Sequence, residues 1–121
     1  MPERALEAAL RRPLSEIKAD LFRALAHPAR IRVLEVLADG ERSVGELQPL
    51  VGIEASHLSQ QLGVLRRAGL VSTRKAGSSV FYAIRDPELV SVLASAKQVL
   101  VNSLAESQEL LAELGVAAGD A

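Results

Sequence analysis

The sequence predicts a mainly α-helical domain with one small β-hairpin, in the order α-α-α-α-β-β-α. Three observations lead there. Leucines and other apolar residues recur at spacings of three and four through most of the 121-residue chain, the period of a helix with one buried face. Two short runs rich in β-branched and aromatic residues, Leu70 to Thr73 and Val80 to Ile84, flank a turn that contains Gly77. Rings are scarce, at two Phe, one Tyr and no Trp, so the core is built from Leu, Val, Ala and Ile, as suits closely packed helices. With 49% hydrophobic residues the chain is apolar enough to bury a core, and its length suits one domain with helical extensions.

Leu6, Leu10, Leu14, Ile17, Leu21 and Leu25 share one helical face, and Pro13 divides them. The expectation is a loose extension over 1–13 and a firm helix over about 14–26. His27-Pro28 ends that helix and opens another, with Pro28 at a first helical position and Ile31, Leu34 and Leu37 turned inward. Asp39-Gly40 closes it. Ser43-Val44-Gly45-Glu46 has the form of a capping box, so a short helix should follow, with Val44, Leu47 and Val51 inward and Gly52 at its C-terminal end. A further helix over 54–68 is stopped by Gly69. Two short helices joined by a tight turn make a helix-turn-helix pattern.

The two β runs then form a hairpin over 71–84, with residues 74 to 79 as its tip. Asp86-Pro87-Glu88 starts a last helix, Asp86 being the expected cap. Leu89, Leu93, Leu100, Leu104 and Leu111 keep helical spacing to about residue 114, which gives a rod of ~40 Å at 1.5 Å per residue. Residues 115–121 are expected to be a flexible tail. The main domain thus spans 14–114, with its last helix over about 87–114.

The formal net charge of −1 hides an uneven distribution. Residues 55 to 85 carry five basic residues (Arg66, Arg67, Arg74, Lys75 and Arg85) and no Asp or Glu, whereas residues 86 to 121 carry six acids and one base. Such asymmetry points to a polyanionic partner. A chance acid-free stretch on a solvated surface is the plainer alternative.

Stepping 100° per residue along 54–69 places Ala55, Leu58, Leu62, Leu65 and Gly69 on a core side. Opposite lie Ser56, His57, Gln60, Gly63, Val64 and Arg67, with Ser59, Gln61 and Arg66 on the flanks. Ser, His, Gln and Arg can read base edges or hold phosphate, and no acid stands among them to repel it. Val64 could meet a thymine methyl, and Gly63 permits a close approach. An ordinary polar helix face would normally mix Glu with Lys. At the hairpin, Arg74, Lys75, Ser78 and Ser79 offer a second electrostatic contact, which supplies affinity without sequence information. Charges that guard an exposed hairpin would look similar.

These residues resemble a known family. Leu25-Ala26-His27-Pro28-Ala29-Arg30-Ile31-Arg32-Val33-Leu34 is similar to the second-helix start of ArsR/SmtB-type winged-helix repressors. Ser56-His57-Leu58-Ser59-Gln60-Gln61-Leu62-Gly63-Val64-Leu65-Arg66-Arg67-Ala68-Gly69-Leu70-Val71 resembles their recognition helix and its run into the wing. The similarity covers roughly residues 14 to 100. It implies a homodimer formed by the first and last helices, and binding to a double-stranded DNA operator that represses transcription until a signal relieves it. The implied interface residues here are Leu14, Ile17, Leu21, Leu89, Leu93, Leu100, Leu104 and Leu111. The same leucine faces argue for it physically, since so short a chain has little other surface on which to bury them, unless both helices simply complete a monomeric core.

The departures from the family bear on its signal. Metal sensors of this kind often carry Cys-x-Cys on the short helix before the recognition helix; here that segment reads Glu46-Leu47-Gln48-Pro49-Leu50, and the chain has no cysteine. A second family site uses Asp and His on the last helix. Asp86 stands at a plausible position, yet no histidine follows residue 57. His27 at a helix junction suits a capping role, and His57 a DNA contact, so no metal and no cofactor are expected. Glu54 stands where the family usually has Ser or Thr as the cap of the recognition helix, and Glu caps poorly, so Ser56 is expected to substitute in part.

The function expected is a dimeric, sequence-specific transcriptional regulator that binds an inverted repeat through helix 54–68 and wing 71–84. The competing expectation is a helical protein-interaction module of the same fold. No phosphate-cradling glycine loop, nucleophile elbow or metal-water site suggests an enzyme. No apolar run is long enough for a membrane span, so a cytoplasmic protein is expected. The effector is left open among a small ligand, a partner protein, a modification or none.

Overall fold

The computed structural model describes residues 11–115. The chain divides after Asp86 into two units, the second being the last helix. Leu6 and Leu10, with most of the extension over 1–13 and all but the first residue of the tail over 115–121, lie outside the described residues.

In the first unit, helix α1 spans Leu14–Leu25 and α2 spans Pro28–Leu37. His27 caps α2 with its ring: Ala29 N–H donates to His27 Nδ1 at 3.0 Å. The short strand β1, Arg42–Ser43, runs directly into α3, Val44–Val51. The capping box forms as expected, with Glu46 N–H donating to Ser43 Oγ and Ser43 N–H donating to the Glu46 carboxylate. Gly52 ends α3 at φ 76°, a left-handed conformation that glycine adopts without steric cost.

Helix α4 spans Ala55–Arg67. Glu54 sits at its cap without a side-chain hydrogen bond, in line with its poor capping chemistry. Gly69 closes α4 at φ 74°, while Gly69 N–H donates to the Arg66 carbonyl and Leu70 N–H to that of Leu65. This doubly bonded ending uses carbonyls that the helix leaves unpartnered and turns the chain straight into a strand.

The expected hairpin forms, and a third strand joins it. The sheet has three antiparallel strands in the order β1-β3-β2, with β2 over Val71–Ala76 and β3 over Ser79–Ile84. Arg42 pairs with Tyr82 and Ser43 with Phe81, while Val71 to Ala76 pair with Ile84 to Ser79. A two-residue strand has no periodicity of its own, so β1 left no readable signal. The tip is also tighter than expected. The turn is Gly77-Ser78 alone, with Gly77 at φ 62°, the sign that a two-residue hairpin needs at its first central position.

Leu34, Leu47, Leu58, Leu62, Leu65, Val33 and Val51 are fully buried, so the core of this unit lies among α2, α3 and α4, with Val71 and Leu37 at its margin. Some inward assignments change. Ile31, Val44 and Gly69 are half-buried whereas Val33 and Ala29 are buried, and Ala55 is exposed at the start of α4. These differences follow from which neighbour covers each helix, a matter the 100° wheel does not contain.

The second unit is α5, Glu88–Glu113. Pro87 rather than Asp86 stands at its cap, a shift of one residue of the size that helix ends commonly show. Leu93 is half-buried, while Leu100, Leu104 and Leu111 are exposed. Leu89, expected at the dimer interface, is buried at 6% exposure. Among the described residues no helix is long and apolar enough to cross a membrane.

Candidate nucleic-acid interface

Leu58, Leu62 and Leu65 anchor α4 on the core, and the opposite side of the helix faces out. Ser56, Ser59, Gln60, Arg66 and Arg67 are exposed, and His57, Gly63 and Val64 are half-buried. This surface holds hydroxyls, an amide and two guanidinium groups on one rigid element, and residues 55 to 85 contain no acid. Hydroxyl, amide and guanidinium groups of this kind can donate to base edges and to phosphate oxygens.

Two details of the face differ from expectation. Gln61 is 5% exposed, and its Oε1 accepts from Arg30 Nη1 at 3.1 Å. It therefore belongs to the α2–α4 junction and is withdrawn from the contact set; on the wheel it sat at the flank, and α2 covers that flank. His57 is turned partly toward the same junction, its ring meeting the His27 ring edge-on at 5.7 Å. The space above Gly63 is also occupied, since a Cβ there would lie 3.1 Å from Arg67 Nη1. Arg67 thus folds back across the glycine, and the open approach expected at Gly63 is roofed by a guanidinium.

The hairpin residues separate. Lys75, Ser78 and Ser79 are exposed, and both serines line an open cleft of about 340 Å³ with Ser43, Val44, Gly45 and Val80. Arg74 is held in place: its Nε and Nη2 donate to the Glu41 carboxylate at 2.6–2.9 Å, and its guanidinium stacks 4.6 Å over the Phe81 ring. The hydrogen bond from Arg74 holds the Glu41 carboxyl below its ordinary range and raises the Arg74 guanidinium further. Glu41, outside the acid-free stretch, therefore brings a negative charge to the wing. Sequence reasoning missed it because β1 carries it there from 33 residues away.

Among the described residues no group of three or more His, Cys, Asp or Glu could hold a metal ion. His27 acts as the helix cap expected of it.

Two helices set at a tight turn, the second with an exposed polar face, and a three-stranded antiparallel sheet define a winged helix-turn-helix protein. Comparison with known proteins agrees. Residues 25–74 match the family described as a helix-turn-helix domain. The uncharacterized HTH-type transcriptional regulator Rv0081 of Mycobacterium tuberculosis is 50% identical over 103 residues, covering 84% of this chain and 90% of the relative. Its crystal structure matches with a TM-score of 0.73 at 52% identity, over 79% of this chain and 97% of that one. The biofilm growth-associated repressor of Agrobacterium fabrum is 41% identical over 93 residues, covering 77% of this chain and 71% of the relative. The solution structure of the homodimeric winged helix-turn-helix domain Mb0332 of Mycobacterium bovis, a possible ArsR-family regulator, matches with a TM-score of 0.69 at 29% identity, over 86% of this chain and 91% of that one. The chain belongs to the ArsR/SmtB-type winged helix-turn-helix transcriptional regulators, a DNA-binding class, and lacks the cysteine motif of its metal sensors.

Proposed function

We propose that this chain acts in the cytoplasm as a homodimeric repressor that reads an inverted-repeat operator with α4 and braces the duplex with its wing. The observation that carries the reading is the exposed face of α4, where Ser56, Ser59, Gln60, Arg66 and Arg67 stand free of any acid in the surrounding stretch. An α-helix fits the major groove, and these groups can bond to base edges there. Half-buried Val64 adds an apolar contact, and half-buried His57 a polar one at the edge. Lys75, Ser78 and Ser79 supply phosphate contacts on the wing, while Arg74 contributes only when released from Glu41.

Dimerisation through α1 and α5 supplies the symmetry. Leu14 on α1 is 62% exposed, and Leu100 and Leu104 on α5 are 70% and 61% exposed, apolar side chains that a lone chain leaves in water. Ile17 and Leu21 on α1 and Leu93 on α5 are half-buried, Leu111 on α5 is exposed, and the homodimeric Mycobacterium bovis domain of the same fold supports the assembly. Two recognition helices related by a two-fold axis then meet half-sites about one turn of DNA apart, ~34 Å. Repression follows if the operator overlaps a promoter, as the name of the Agrobacterium fabrum relative suggests. No catalytic step enters this reading.

DNA fragments co-purified with the chain and sequenced supply the operator, and gel-shift titration measures affinity for it against random duplex. Arg67→Ala combined with Gln60→Ala should abolish the preference for operator while the dimer stays intact. Undiminished preference in that variant overturns the assignment of α4. A reporter placed behind the operator should fall on expression of the chain; a rise would make it an activator.

A further inference from the structure

Arg30, in the first turn of α2, reaches two other helices at once. Its Nε donates to the Ala24 carbonyl at 2.7 Å and its Nη2 to the Arg23 carbonyl at 3.1 Å, both in the last turn of α1. Its Nη1 donates to Gln61 Oε1, one turn into α4 from His57. The last carbonyls of a helix carry the negative end of its dipole, so a guanidinium is a well-suited group there, and at Arg23 it shares the carbonyl with the Ala26 N–H. The planar fork of arginine serves three acceptors in fixed directions, which a single ammonium cannot reproduce.

The neighbouring contact works the same way. His27 Nδ1 is engaged by the Ala29 amide, which fixes the ring, and the His57 ring packs edge-on against it. Residues 57 and 61 are one helical turn apart on the side of α4 that faces α2. Two successive turns of α4 are thus gripped by one turn of α2, and the buried Gln61 amide is out of reach of any duplex.

We propose that Arg30 is a positioning residue for DNA reading: it ties α4 to the C-terminal end of α1, so that the direction in which the α4 face points is set from α1. The proposal rests on α4 being the helix that reads DNA. Gln61, withdrawn as a DNA contact, is the acceptor through which the tie acts.

The test uses the full chain as wild type, Arg30→Ala, Gln61→Met and the double variant. Gln61→Met roughly keeps the volume and removes the amide that accepts from Arg30, so it stands in if Arg30→Ala fails to fold. Amide hydrogen exchange without DNA should be faster over residues 57–67 in each variant and unchanged in α3. Operator affinity should fall about tenfold in each single variant, and the double should fall little further, as for two ends of one interaction. Affinity for random duplex and the salt dependence of binding should stay at their wild-type values. A loss shared by random duplex, with the salt slope reduced by about one, would show Arg30 touching phosphate and overturn the proposal. Wild-type exchange in both single variants would overturn it as well. A wild-type chain that selects no operator would instead refute the reading of α4, while the exchange data still judge the tie.

Discussion

Replacing Gly63 by alanine separates the stability of α4 from its reading. Gly63 is a mid-helix residue and is not among the glycines with positive φ, so the backbone accepts a side chain there. Alanine in such a position stabilises by about 0.5–1 kcal/mol, because glycine loses more freedom on folding. The opposing effect is visible in the structure. The new Cβ would stand 3.1 Å from Arg67 Nη1 and 3.7 Å from its Cζ and Nη2, where ordinary contact starts at 3.4 Å. The guanidinium must back away by a few tenths of an ångström, and as the far end of an exposed, flexible side chain it does so cheaply.

The stabilising effect therefore wins. Thermal unfolding at fixed protomer concentration should shift upward by about 2–8 °C, since one kcal/mol is worth about 4–8 °C in a domain of this size class. The urea midpoint should rise with an unchanged slope. Binding moves the other way: a methyl group on the reading face and a displaced Arg67 should weaken operator affinity about three- to tenfold, within the effect of one perturbed base contact. A lower melting temperature would mean that Arg67 is locked above Gly63 rather than resting there. Equal or tighter operator binding would mean that this edge of α4 does not enter the groove.

Glu41→Gln removes the charge that restrains Arg74 and should add one phosphate contact at the wing, steepening the log–log salt dependence of DNA binding by about 0.9; an unchanged slope leaves Arg74 out of the interface. Leu104→Glu should convert the dimer to monomer in sedimentation velocity, since two symmetric leucines lose about 1.5–3 kcal/mol of burial each, and a dimer that persists places the interface elsewhere. Acid should destabilise the chain. Asp20, hydrogen-bonded by Arg12, Glu41, hydrogen-bonded by Arg74, and Glu46, hydrogen-bonded by the Ser43 backbone, all have lowered pKa values. Their contribution is complete above the ordinary carboxylate pKa of about 4 and is lost as pH falls through the folded values, because the unfolded chain binds more protons. The urea midpoint should be flat from pH 7 to about 5 and fall below it; a midpoint that rises over the acid range refutes the sign.

The parts of the fold that were legible are those whose cause is local. The Ser43–Glu46 box, the left-handed Gly52 and Gly69 and the His27-Pro28 junction each need only a few consecutive residues to satisfy backbone groups at a helix end. Their positions in the structure agree with the sequence to within a residue or two. The leucine period likewise placed Leu58, Leu62 and Leu65 on the buried side of α4. Strand β1 was not legible, because two residues become a strand only when β3 lies beside them.

The acid-free stretch from 55 to 85 and the alternation of helix and turn determined the class of this protein without reference to tertiary contacts. A polar helix face with no carboxylate on it is a property of residue order and of the 3.6-residue period. Tertiary structure decided which candidate side chains of the site stay exposed. Gln61 is buried where Arg30 binds it across 31 positions, and Arg74 is paired with Glu41 across 33. Each of these is a question of which group covers another, and burial and charge pairing are fixed by neighbours in space that periodicity along one helix does not encode.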